Sequence, residues 1–169
     1  MRYAKIRKYD TSNGQGIRTT LFVSGCTHNC KGCFNKDAQS FSYGDEWTNE
    51  IEEQFIEYVK NDKVVGVNIL GGEPMQQIKD KTLLNLLSRI KRETGKSIWM
   101  WTGYEIEEIL EKNNLIQLSM LCLVDVLIDG KFVEELKDLK LLYRGSSNQR
   151  VIDVPASIEQ SEIVLLKMD

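Results

Sequence analysis

The chain has 169 residues, 41% of them hydrophobic and 28% charged, with a formal net charge of −3 at neutral pH. That length supports one hydrophobic core, so a single domain over residues 1–169 is expected. A mildly acidic chain without a block of Lys or Arg lacks the electrostatic footprint of a nucleic-acid binder, and no apolar stretch nears the ~20 residues that span a bilayer. Neither nucleic acid nor a membrane is an expected partner. The opening MRYAKIRKYD is charged and leads into no apolar leader segment, so a cytoplasmic, reducing setting is expected.

The first predicted element is a strand, IRTTLFVS at 17–24, rich in β-branched residues. It runs straight into CTHNCKGC, which hangs three cysteines in a loop, 25–36, at the strand's C-terminal end. Core packing does not ask for Cys26, Cys30 and Cys33 at such spacing. Three thiolates this close can turn onto one small object, a zinc ion or a cubane iron-sulfur cluster. Structural zinc sites and electron-transfer four-iron clusters normally close with four protein ligands, whereas this neighbourhood supplies three. One iron of a cluster would be left open. A disulfide with a spare thiol is disfavoured by a reducing setting. Zinc completed by His28, the single histidine, asks that residue to reach back from inside the same tight loop. An electron-transfer cluster needs Cys122 as its fourth ligand, yet Cys122 lies in the apolar run LSMLCLV, where a buried thiol acting as a small hydrophobe is expected.

Downstream, TNEIEEQFIEYVKND (48–62) is a predicted helix with Thr48 as N-cap and one stripe of Ile51, Phe55, Ile56 and Val59. VVGVNIL (64–70) is a buried strand ending in GGEP, and IKDKTLLNLLSRIKRETG (78–95) is a helix closed by Gly95. SIWMW (97–101) is a strand followed by TGY, and EIEEILEKN (105–113) is helical. LVDVLID (123–129) is a strand followed by GKF, FVEELKD (132–138) is a candidate short helix, and RGSSNQR (144–150) is a loop. Strand, loop and helix thus repeat four times. The alternation predicts an α/β fold with a mostly parallel sheet, because each parallel connection needs a covering element. Ligand-binding loops of such folds gather at the C-terminal strand ends, where the cysteine loop, GGEP, TGY and DGKF all fall. A complete eightfold barrel takes about 250 residues. An incomplete (β/α) TIM-like barrel, open on one side, is therefore predicted, and its open side would admit a large substrate such as another protein.

CTHNCKGC fits the Cys-x3-Cys-x2-Cys signature of radical S-adenosylmethionine enzymes, and GGEP after the second strand resembles their second hallmark. NGQGIRTTLFVSGCTHNCKGCFN, WTGY and DVLIDGKFVEELKDLKLLYRGSSNQRVID narrow the likeness. From Asn13 to Asp153 the chain resembles the activating proteins of anaerobic (class III) ribonucleoside-triphosphate reductases. The resemblance implies that Cys26, Cys30 and Cys33 hold three irons of one 4Fe-4S cluster, while the amino and carboxylate groups of S-adenosylmethionine take the fourth. Gly71 and Gly72 would allow close backbone approach, and the GGEP strand end, completed by Glu73 and Pro74, would receive the methionine amino group. Glu73 is expected to be a hydrogen-bonding or charge partner of that loop. Many relatives place an aromatic residue before the third cysteine; this chain has Gly32 there and Phe34 after, so backbone around Gly32, Cys33 and Phe34 is expected to contact the nucleoside.

The resemblance also suggests Thr102 and Gly103 for ribose or carboxylate contacts, with a plain turn as the competing reading. Arg18, Lys131, Arg144, Asn148, Gln149 and Arg150 are weaker candidates for the partner-facing side, and a solvated lysine is an equal reading of Lys131. The implied activity is that of an oxidoreductase: reductive cleavage of S-adenosylmethionine, a 5′-deoxyadenosyl radical, and a glycyl radical formed on the reductase. The implied partners are that reductase and reduced flavodoxin or ferredoxin as electron donor. An activator of another glycyl radical enzyme, of the pyruvate formate-lyase type, is the rival within this class. No side chain beyond the cluster and the derived radical is required as a catalyst, and His28 would tune the cluster through hydrogen bonds to sulfur.

Overall fold

The structure, a computed structural model, describes residues 1–168. Seven strands form one sheet in the order β3-β1-β2-β4-β5-β6-β7. They are β1 (Arg2–Asp10), β2 (Arg18–Val23), β3 (Asp45–Glu46), β4 (Gly66–Gly71), β5 (Ser97–Trp101), β6 (Val126–Asp129) and β7 (Arg150–Asp153). The four central strands β2, β4, β5 and β6 are parallel. The flanking β1, β3 and β7 run antiparallel to their neighbours. Five helices accompany them: α1 (Asn49–Lys60), α2 (Thr82–Thr94), α3 (Ile106–Lys112), α4 (Leu115–Leu123) and α5 (Val154–Gln160). The expected α/β class with a parallel sheet centre holds, although β3 and β7 end the sheet as separate edges and no pairing joins them among the described residues.

The helices form where the sequence cues stood. Thr48 caps α1 by accepting a hydrogen bond from the Ile51 amide at 3.3 Å, and Phe55, Ile56 and Val59 are buried. Gly95 closes α2 at φ +65°, a left-handed position that glycine takes without a Cβ clash. Strand residues alternate between two faces. Leu21, Val23, Val67, Ile69, Ile98, Met100 and Leu127 pack with the helices in the main core. On the opposite face, Trp99, Val126, Ile128 and Val151 form a smaller cluster under Tyr143, Leu166 and Met168. No described helix is long and apolar enough to cross a membrane.

Several elements depart from expectation, among them β3, β7 and α5, for which no element was predicted. The strand β1 and the helix α4 were not expected, and FVEELKD yields only a single 3-10 turn at Glu134–Leu136. Because LSMLCLV is helical up to Leu123, its side chains distribute around an axis: Gln117, Met120 and Leu121 are buried while Cys122 is exposed. The expectation of a buried Cys122 is thereby corrected. Arg150, placed in a loop by the sequence reading, begins β7.

Arg18 is a further correction. It lies at the start of β2, away from the strand ends that carry the cysteine loop, and is only 2% exposed. Its guanidinium donates to Asn68 Oδ1 at 2.7 Å, Val67 O at 3.1 Å, and both Ser97 O and Ser97 Oγ at 3.0 Å. It also lies over the Trp99 ring, 5.1 Å from the centroid. Burial pulls its pKa down to about 10, the cost of desolvating a cation. The side chain ties the bottoms of three strands and offers nothing to a partner. Arg18→Ala, which strands these acceptors, should lower stability by on the order of 3 kcal/mol in urea unfolding; a loss below about 0.5 kcal/mol would contradict this role.

Candidate functional site

The cysteine loop leaves β2 through a closed neck. Gly25 N donates to Ala38 O at 2.7 Å and Cys26 N to Gln39 O at 2.9 Å, so the loop's two ends meet before any side chain is involved. The end of β4 presses against this neck: Gly72 N donates to Val23 O at 2.7 Å and Glu73 N to Gly25 O at 2.8 Å. The approach needs glycine, since a Cβ on Gly72 would stand 2.6 Å from Gly25 O and 2.8 Å from Ala38 O. Gly71 adds a positive φ of +107°. Pro74 is buried at the start of a 3-10 turn, Pro74–Gln76, whose cap is Glu73.

Cys26, Cys30 and Cys33 line a cavity of about 500 Å³ together with Gly71, Gly72, Glu73, Thr102 and Gly103. All three cysteines are free and half-buried. Burial pushes the Cys26 thiol up to about 11, with the Glu73 carboxylate and the other two cysteines adding to the effect. Burial likewise raises Cys30, with Cys33 adding. At neutral pH Cys26 is therefore a thiol, and metal binding would displace its proton. Among the described residues no three His, Cys, Asp or Glu groups converge as a single ion requires. A four-iron cluster makes a different demand, one thiolate on each of several irons. Three soft sulfur donors facing one roomy cavity fit it, with no fourth cysteine at hand. His28 belongs to no such converging set, and its Nε2 lies 2.7 Å from Glu73 Oε2.

Residues 12–152 match the family described as "4Fe-4S single cluster domain". The chain is 45% identical over 152 residues to an anaerobic ribonucleoside-triphosphate reductase-activating protein of Haemophilus influenzae, covering 88% of this chain and 96% of the relative. Proteins of the same name from Escherichia coli (42% over 154 residues; 89% and 97% covered) and Vibrio cholerae (41% over 152; 88% and 96%) are similarly close. The chain belongs to the family of anaerobic ribonucleoside-triphosphate reductase-activating proteins. The matched span takes in every strand-end loop that meets the cavity.

In this family member Glu73 is the centre of the site's polar structure. It is 1% exposed, and its Oε1 accepts from Met75 N at 2.9 Å and Thr102 Oγ1 at 2.7 Å. Its Oε2 accepts from Gly103 N at 2.7 Å besides His28. Glu73 is thus a hydrogen-bonding partner for three loops, and the Thr102 hydroxyl is already engaged by it. Gly32 takes φ +73°, and a Cβ there would meet the Glu134 carboxylate at 2.8 Å. Phe34 is 61% exposed, tilted against Phe132 with ring centroids 5.0 Å apart.

The remaining candidates divide. Arg144 and Gln149 line the cavity, and Arg144 Nη1 donates to Gln149 O at 2.7 Å. Gln149 mainly braces its loop, accepting from Gly145 N and Ser146 N and donating to Gly130 O. Asn148 donates to the backbone of the exposed Lys131. Arg150 binds Glu107 through two parallel hydrogen bonds, 3.0 and 2.7 Å, and Asp129 at 3.0 and 2.5 Å, so it ties β7 and β6 to α3 instead of facing a partner. Sequence reasoning missed Arg7, Phe22, Trp101 and Tyr143 in the cavity wall. The alternation in SIWMW was the available signal for Trp101, which shares a sheet face with Trp99. Its indole donates to Tyr143 O at 2.6 Å. With Cys122 outside the cavity, Cys122→Ser should leave the iron content of the reconstituted protein unchanged; loss of half the iron or more would restore Cys122 as a ligand.

Proposed function

We propose that the chain is a radical S-adenosylmethionine activase that creates a glycyl radical on an anaerobic ribonucleoside-triphosphate reductase. One observation carries the reading: Cys26, Cys30 and Cys33 share a cavity wall with the glycine-rich end of β4 and with Thr102 and Gly103. The three thiolates would hold three irons of one 4Fe-4S cluster, and the amino and carboxylate groups of S-adenosylmethionine would take the fourth. When bound, the cluster and S-adenosylmethionine supply one-electron cleavage of the carbon-sulfur bond to methionine and a 5′-deoxyadenosyl radical, which removes a hydrogen atom from a glycine α-carbon of the reductase. The protein's task is to bind, orient and exclude water. Carbonyls at Gly71 and Gly72 would accept from the methionine amino group, and backbone at Gly32, Cys33 and Phe34 would meet the nucleoside. Phe22, Leu70 and Trp101 supply apolar wall.

In this reading residues 1–169 form one domain, an incomplete (β/α) barrel whose open side, near Arg144 and Gln149, receives the reductase. The reductant would be flavodoxin or ferredoxin, in the cytoplasm. Anaerobic reconstitution with iron and sulfide, followed by dithionite and S-adenosylmethionine, should release 5′-deoxyadenosine and methionine; absence of both overturns the proposal. Adding the anaerobic reductase should give a glycyl radical signal in electron paramagnetic resonance. A signal with pyruvate formate-lyase and none with the reductase would reassign the partner.

A further inference from the structure

We infer that His28 is a positioning residue: through Glu73 it latches the cysteine loop to the ends of β4 and β5, and so sets where the loop holds its cluster. The inference rests on the reading of Cys26, Cys30 and Cys33 as cluster ligands. His28 sits between the first two of them, yet its side chain turns away from solvent, 7% exposed, with Nε2 2.7 Å from Glu73 Oε2. With Glu73 as a carboxylate, which has no proton to give, the tautomer that suits this contact is the one protonated at Nε2. The ring occupies the space a side chain at position 103 would fill: a Cβ on Gly103 would lie 2.5 Å from His28 Cδ2 and 2.7 Å from Nε2. Tyr104 closes over it edge-on, with centroids 4.6 Å apart.

The neighbouring residue is gripped by the same two strand ends. Thr27 N donates to Gln76 Oε1 at 2.9 Å, and Gln76 Nε2 donates back to Thr27 Oγ1 at 2.7 Å and across to Tyr104 Oη at 2.9 Å. Immediately afterwards the chain reverses at Asn29, φ +52°, a conformation asparagine tolerates better than most residues. The far half of the loop is held otherwise, by a Phe132 backbone hydrogen bond to Cys30, the exposed Lys31 at 3.6 Å from Glu134 and the Phe34 ring tilted against Phe132. Cys26 is already held at the neck by its amide on Gln39 O, so the latch fixes the path of the chain from Cys26 to Cys30. A histidine that merely filled space would not need a buried carboxylate from 45 residues away.

The test uses the full chain reconstituted with iron and sulfide. Retention of iron under chelator challenge and the electron paramagnetic resonance spectrum of the reduced cluster, with and without S-adenosylmethionine, are compared across variants. His28→Ala should lose its cluster about 10- to 100-fold faster, the usual scale for groups that orient metal ligands. Its spectrum should also respond less to S-adenosylmethionine. Gly103→Ala, whose new Cβ pushes against the ring while its own amide can keep the bond to Glu73 Oε2, should reproduce the loss of retention, and the double variant should be no worse than either single one. His28→Gln, which keeps an N–H donor, should recover most of the retention. Circular dichroism of the metal-free variants checks that the fold persists. Wild-type retention and spectrum in His28→Ala, or additive losses in the double variant, overturn the inference alone. A wild-type chain that takes up no cluster overturns the cluster reading and the latch with it.

Discussion

Replacing Cys33 by alanine is expected to remove the cluster and all cleavage of S-adenosylmethionine while changing the stability of the metal-free fold by less than about 1 kcal/mol. The separation of effects follows from placement. Cys33 is half-buried on the cavity wall and lies outside both hydrophobic clusters, so its loss empties no core space. Only its amide, bonded to Cys30 O at 3.2 Å, helps the local turn, and alanine keeps that bond. Iron and sulfide analysis, thermal unfolding, and chromatography of 5′-deoxyadenosine decide the matter. Full activity in this variant would rule out the ligand assignment.

The second large effect belongs to Glu73 and falls on stability as well as function. Glu73→Ala leaves four donors, Met75 N, Thr102 Oγ1, Gly103 N and His28 Nε2, without their acceptor. Breaking such a buried charge-assisted set should cost about 3–5 kcal/mol, read as a lower urea midpoint at unchanged slope. Cleavage of S-adenosylmethionine should fall with it, because all three loops lose a common anchor. Glu73→Gln preserves volume but turns an N–H toward groups that are themselves donors, so it should recover only part of the loss. A variant Glu73→Ala with wild-type stability would show that water replaces the carboxylate and that the hub is not structural.

These two residues differ in how visible they were beforehand. The cysteines announce themselves by spacing alone, α1, α2 and α3 by a stripe with one face buried, and β2, β4 and β5 by short apolar or β-branched runs that are buried at most positions on both faces. Helix α4 hid for the opposite reason: LIQLSMLCL is apolar almost all round, so no stripe separates it from a strand. The cue available was Asn114, whose side chain caps both Ile116 N and Gln117 N. Strand β1 hid because RYAKIRKYD, near the sheet's edge, is exposed or half-exposed at most positions and carries charge where a buried strand would be apolar. The partners of Glu73 were beyond reach, since they lie 45 and 29 residues away for His28 and Thr102 and no local pattern encodes such a meeting. Arg18 misled because Arg beside a glycine-rich turn reads as a surface group; only the strand pairing brings the Val67 and Ser97 carbonyls together as acceptors.

The backbone neck of the cysteine loop, Gly25 to Ala38 and Cys26 to Gln39, has a consequence for survival in air. Both bonds are amide to carbonyl and involve no sulfur, so oxidative destruction of a cluster would leave them standing. Much of the loop-closure entropy of bringing the loop's ends together is met by the polypeptide itself. An oxygen-damaged molecule would then be a repairable one: fresh iron and sulfide would meet a tethered loop on a folded domain, and renewal would proceed without unfolding or synthesis of a new chain.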